Sequence, residues 1–161
     1  MVDCYVGDDF SGLYGHVGGQ DPVFVRYQTG YVITIEDFPL LWVPEIQTEI
    51  ALLAMYAEYI ALSQSVQVLL VFKVWIKDVM KALELNPNNL VFISKSIVFE
   101  GNNGALTLAS NPRLTLRSKH IPVTYIWFQQ QVRNEFVLQK SHTEIQKADI
   151  FTRGLQNEAS L

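Results

Sequence analysis

The sequence is short of charge. Only 17% of its 161 residues are charged, against 49% hydrophobic, and the mean hydropathy is +0.15. Such a surface is expected to be poorly soluble or covered by something else. Cys4 is the sole cysteine, which excludes a disulfide framework or a cysteine-based zinc site within one chain and fits an intracellular setting, cytoplasmic or nuclear. Net positive charge is also lacking. The formal charge is −4 and the pI about 5.3, so nucleic-acid binding would have to rest on a local basic patch. The opening residues MVDCYVGDDF contain no basic n-region and no apolar h-region, so they do not read as a signal peptide. The most apolar window, VQVLLVFKVWI at 66–76, is interrupted by Gln67 and Lys73 and is too short to span a bilayer. It is expected to be a buried helix, with no membrane partner.

What is present suffices for one domain over 1–161 with a full core. A first strand is predicted at about 4–10, then a Gly-rich loop at 13–22. Two β-rich runs, YVITI and FPLLWV, flank Glu36-Asp37 and read as a hairpin ending at Pro44. Helix formers without Gly or Pro begin near Thr48 and can run to Leu85, with room for a break. NPNN at 86–89 reads as a turn, 90–100 as β-rich, 101–110 as Gly-Asn followed by helix, and 111–122 as a basic loop. Helix at 123–134, a short strand at 135–140 and a last helix capped by Thr143 and closed by Gly154 complete the order. That alternation argues for an α/β sheet with helices packed on it, and no repeat, low-complexity tract or linker interrupts it.

Several segments, taken in order, carry a resemblance: YVGDDFSG (5–12), TGYVIT with EIALLAMYAEYIALS (29–34, 49–63), FEGNNGAL (99–106), and SKHIPVTYIWF with ADIFTRGL (118–128, 148–155). Together they resemble the RNase H domain of copia-type (Ty/copia) retrotransposon Pol polyproteins. The resemblance implies an RNase H-like α/β fold, a mixed five-stranded sheet with helices on both faces. It also implies an endonuclease that cleaves the RNA strand of an RNA/DNA hybrid during reverse transcription, and a polymerase region that would precede the first strand and is absent here. In the family four carboxylates hold two Mg²⁺ ions, which at about 3.5–4 Å apart clamp the attacking water and the leaving oxygen. No small-molecule cofactor is implied, and the oligomeric state is left open.

Two of the four acids are missing. The first, after the Tyr-Val pair, falls on Gly7, and the third falls on Gly101. The second is placed at Glu58, although the family's other glutamate two residues earlier is Tyr56 here. The fourth is Asp149. Glu58 and Asp149 are therefore the expected metal and catalytic residues, with Mg²⁺ binding weak or absent and the copy degenerate. Aspartate to glycine is a single base transition, as expected of an unselected copy. Leu53, Ala54, Pro122 and Ile126 also depart from the family pattern.

Asp8 is the candidate for rescue. Side chains alternate faces along a strand, so it needs a β-bulge at Gly7 to be re-aimed. Otherwise Asp8, Asp9 and Glu100 are expected to be solvated strand-end acids. For Asp149 an acid favoured at a helix start is the plain alternative. Arg113, Arg117, Lys119 and His120 form the densest basic cluster and are candidates for phosphate contact, with a solvated loop as the alternative. His142 and His16 carry no expected role. Trp42, Trp75 and Trp127 are expected in the core. Three functions remain in play: a non-catalytic remnant, an active hybrid-specific nuclease using a rescued Asp8, and a nucleic-acid or protein binding module.

Overall fold

A computed structural model of the chain describes residues 1–9, 27–48, 54–85, 96–110, 128, 130–131 and 135–152. The elements are β1 (Val2–Asp9), β2 (Gln28–Ile35), β3 (Phe38–Ile46), α1 (Ala54–Ala82), β4 (Ser96–Glu100), α2 (Asn103–Ser110), β5 (Phe136–Lys140), a 3-10 turn (Thr143–Ile145) and α3 (Asp149–Thr152). The sheet order is β3-β2-β1-β4-β5. β1 pairs antiparallel with β2 and parallel with β4, β2 pairs antiparallel with β3, and β4 pairs parallel with β5. This mixed five-stranded sheet is consistent with an RNase H-like α/β fold.

Period-two alternation divides the central strand between two faces. Val2, Cys4 and Val6 join Tyr31, Ile33 and Val98 in one cluster with Tyr59, Leu62, Val66 and Leu69 of α1. Ala105 and Ala109 of α2 belong to the same cluster, so both long helices cover this face. Burying each such Leu or Val contributes about 1.5–3 kcal/mol. On the opposite face Tyr5 stacks on Phe99 with ring centroids 4.6 Å apart. The segment leading into α3 covers this second face.

The hairpin forms as the β-branched runs dictate, and both turn residues are left-handed, with φ of 48° at Glu36 and 74° at Asp37. That is the geometry a two-residue hairpin turn requires. Pro44 does not end the strand. β3 continues to Ile46 because it is an edge strand, where a residue without an N–H is tolerated. A register shift between Ile33 and Thr34 marks a bulge in the β2–β3 ladder.

α1 runs unbroken over its 29 residues. By length and composition it could cross a membrane, yet half of its most apolar window is buried inside the fold, as in a core helix. The expectation of tryptophan in the core fails twice. Trp75 is 57% exposed because the buried stripe of α1 runs through Val66, Leu69 and Lys73, leaving Val71, Val74 and Trp75 outward. Trp42 is 56% exposed on edge strand β3. Trp127 lies outside the described residues, as do the segments 13–22, 86–89 and 111–122.

The last helix starts later than its composition suggests. Thr143 opens a 3-10 turn, and the α-helix begins only at Asp149. The intervening residues are held by β1, as described next.

Candidate functional site

β1 and β4 run parallel, and their carboxyl ends lie side by side, with Val6 opposite Glu100. The next residue of each strand is one of the two glycines, Gly7 and Gly101. A Cβ built on Gly7 would stand 3.7 Å from Asp149 Oδ1 and 3.8 Å from the Ala148 Cβ. Position 7 thus faces Asp149. The same construction at Gly101 meets nothing within 4 Å, so a side chain there would enter open space.

Asp149 reaches this place through the three residues before it. Gln146 Nε2 donates to the Val6 carbonyl at 2.7 Å. Lys147 Nζ donates to Asp37 Oδ1 at 2.9 Å and lies 4.7 Å from the centroid of the Tyr5 ring. The hydrogen bond to Asp37 is the main reason the Lys147 pKa is raised. Ala148 is fully buried, and Asp149 N donates to the Gln146 carbonyl at 3.3 Å.

Glu58 sits one turn into α1 and is half-buried. A buried polar network beside it fixes this end of the helix. Gln47 Nε2 donates to the Ala57 carbonyl at 2.9 Å and to Thr29 Oγ1 at 2.9 Å. Thr29 Oγ1 in turn donates to Gln64 Oε1 at 3.4 Å. Gln47 N closes the corner on the Tyr27 carbonyl at 2.8 Å.

Glu100 corrects an expectation. It is fully buried rather than a solvated strand-end acid. β4 alternates, so Glu100 shares the inner face with Ser96 and Val98, and Oε1 accepts from Asn102 N at 2.8 Å. Asn102 Oδ1 accepts from Gly104 N at 2.8 Å and Ala105 N at 3.2 Å, capping α2. The carboxylate is thereby engaged in starting that helix.

β1 pairs with β2 in unbroken register from Val2 to Asp9, with Asp8 opposite Thr29, so the ladder carries no bulge at Gly7. The Asp8 and Asp9 side chains lie outside what the structure describes. Among the described residues no three His, Cys, Asp or Glu side chains gather into a group that could hold a metal ion. Hard Mg²⁺ needs several oxygen donors in near-octahedral array. Glycine at 7 and 101 supplies no side-chain oxygen, so the donors among the described residues do not fit a two-ion centre.

The chain is distantly related to a retrotransposon Pol polyprotein. It is 27% identical over 151 residues to the Retrovirus-related Pol polyprotein from transposon TNT 1-94 of Nicotiana tabacum, a match covering 84% of this chain. The chain spans 11% of that relative's length. No family model matches.

Arg113, Arg117, Lys119, His120 and His16 lie outside the described residues. His142 is exposed, and its carbonyl accepts from Ile145 N at 3.0 Å. Sequence reading missed Gln146, Lys147 and Gln47. Each is an ordinary polar residue in a segment read as helix or helix approach, and no local pattern marks its long-range bond.

Proposed function

We propose that this chain is an RNase H-like domain of copia-type Pol descent that keeps the fold and two of the catalytic carboxylates, Glu58 and Asp149, and lacks hydrolytic activity. The reading is carried by one observation: the empty Cβ position of Gly7 points at Asp149 Oδ1 from 3.7 Å. In the family a divalent ion pair activates the attacking water and stabilises the leaving oxygen. In this chain Asp149 stands where it could offer one oxygen donor, with glycine opposite. Gly101 opens to free space, consistent with a position from which an acid has gone. The buried Glu100 precedes that position, and one of its oxygens accepts from Asn102 N.

An RNA/DNA hybrid is the ligand this descent implies. Its capture falls to Arg113, Arg117, Lys119 and His120, as contacts to phosphate. The test is cleavage of an end-labelled hybrid with Mg²⁺ by the chain and by the double variant Gly7→Asp, Gly101→Asp. The chain should leave the hybrid intact, and the double variant should cut its RNA strand. Cleavage by the unaltered chain that disappears on Asp149→Asn would overturn the reading.

A further inference from the structure

We infer that Gln146 is the positioning residue for Asp149, holding the carboxylate beside β1 without a metal ion. The inference rests on the reading of Asp149 as a surviving site acid. Asp149 is the first residue of α3. Its place is set from outside. The Gln146 amide bonds the carbonyl of Val6, the residue before Gly7, across 140 positions of sequence. β1 and β4 pair as far as Val6 and Glu100, so the amide engages the central strand where that pairing ends.

Two further contacts remove the remaining freedom. Lys147 is tied to Asp37 and lies over Tyr5, and Tyr5 is fixed by its stack on Phe99. Ala148 is buried against the Gly7 backbone, where a small side chain fits. Consecutive residues are thus anchored to the β2–β3 turn and to β1, and the peptide between them delivers Asp149. The Asp149 amide closes the turn on the Gln146 carbonyl. Moving the backbone at 149 away from β1 strains the Gln146–Val6 bond.

The test uses Gln146→Met, which keeps the length and removes the donor. In the full chain, amide hydrogen exchange at 148 and 149 should accelerate about fivefold to tenfold, the equivalent of one lost hydrogen bond, with β5 unchanged. Gln146→Lys, which retains a donor at similar reach, should restore most of the protection. If Gln146→Met does not fold, Gln146→Asn, one methylene shorter, carries the same measurement. Unchanged exchange at these amides overturns the inference.

A second arm reads the site itself. In the Gly7→Asp, Gly101→Asp chain, Gln146→Met should raise the Mg²⁺ concentration for half-saturation about fivefold to tenfold. Glu135→Ala, a destabilising change at the other end of the sheet, should leave that concentration alone. Equal shifts for both variants would assign Gln146 a merely structural role and overturn the inference. Failure of the double variant to take up Mg²⁺ at all refutes the proposed function instead, and the exchange arm then decides the role of Gln146.

Discussion

Gly7 and Asp149 face each other at van der Waals distance, the Cβ position lying 3.7 Å from Oδ1. Gly7→Asp alone therefore sets two acids side by side. Without metal their repulsion should lower stability by about 1–4 kcal/mol. Mg²⁺ binds the folded pair and should recover that loss, while the parent should be indifferent to the ion. Urea midpoints in chelator and in Mg²⁺ check this, and an Mg²⁺-independent variant contradicts it.

Asp3 makes stability depend on pH. Burial raises its pKa, outweighing the N-terminal ammonium, Lys147 and the Ile97 backbone hydrogen bond, which lower it; Asp37 adds to the rise. A raised folded-state pKa contributes stability that is fully present below the unfolded value, 3.8, and is lost as pH rises through the folded value. Asp3→Asn should match the parent below that range and exceed it at neutral pH. Urea melts at both pH values decide it, and a gap that does not change with pH contradicts the assignment.

Lys73 Nζ, almost completely buried, lies 3.2 Å from Glu135 Oε2 and 4.9 Å from the centroid of the Phe136 ring. Glu135 is partly exposed, so the pair falls between a surface and a buried ion pair. Glu135→Ala should cost about 1–2 kcal/mol, and Lys73→Met less, since methionine leaves no buried charge behind and Glu135 is partly solvated. Chemical denaturation of both variants tests the order, and the reverse order would show that the ion pair carries little.

Gly104 permits α2 to lie against α1. A Cβ there would meet Met55 Cγ at 2.8 Å and Sδ at 2.9 Å. Gly104→Ala should therefore forfeit the helix-propensity gain of about 1 kcal/mol. With Met55→Ala in the background the gain should reappear. A double-mutant cycle with coupling near zero would show that Met55 moves aside freely.

Glu36 adopts a left-handed backbone at φ 48°. Asparagine tolerates that region better, and Glu36→Asn should stabilise the hairpin by about 0.5–1 kcal/mol. Its ion pair with the N-terminal ammonium, at 3.9 Å between exposed groups, offsets little of this. Thermal unfolding provides the comparison, and an unchanged or lower midpoint would contradict it.

Which features were readable from sequence follows from how local their causes are. YVITI, its acidic turn and FPLLWV announced the hairpin because turn chemistry and β-branching act over a few residues. The mixed five-stranded sheet required the family resemblance, and its strand order came only with the structure. Gly7 and Gly101 were readable as departures from the resembled motif, whereas their surroundings were not. Glu100 became buried because Asn102 recruits it at the start of α2. α3 begins late because β1 binds Gln146. Trp75 faces outward although its spacing is helical, since periodicity identifies a stripe and not which stripe the sheet selects.

The outer border of the sheet carries exposed Phe38, Leu40, Trp42 and Ile46, a composition that invites cross-chain stacking. Yet Pro39 and Pro44 lie in the same strand, opposite Thr34 and Gly30. Neither proline can donate to a new ladder. With the bulge bending that margin, templated fibril growth is throttled there. A visitor to this side must grip the aromatic and aliphatic side chains instead of zipping onto the main chain.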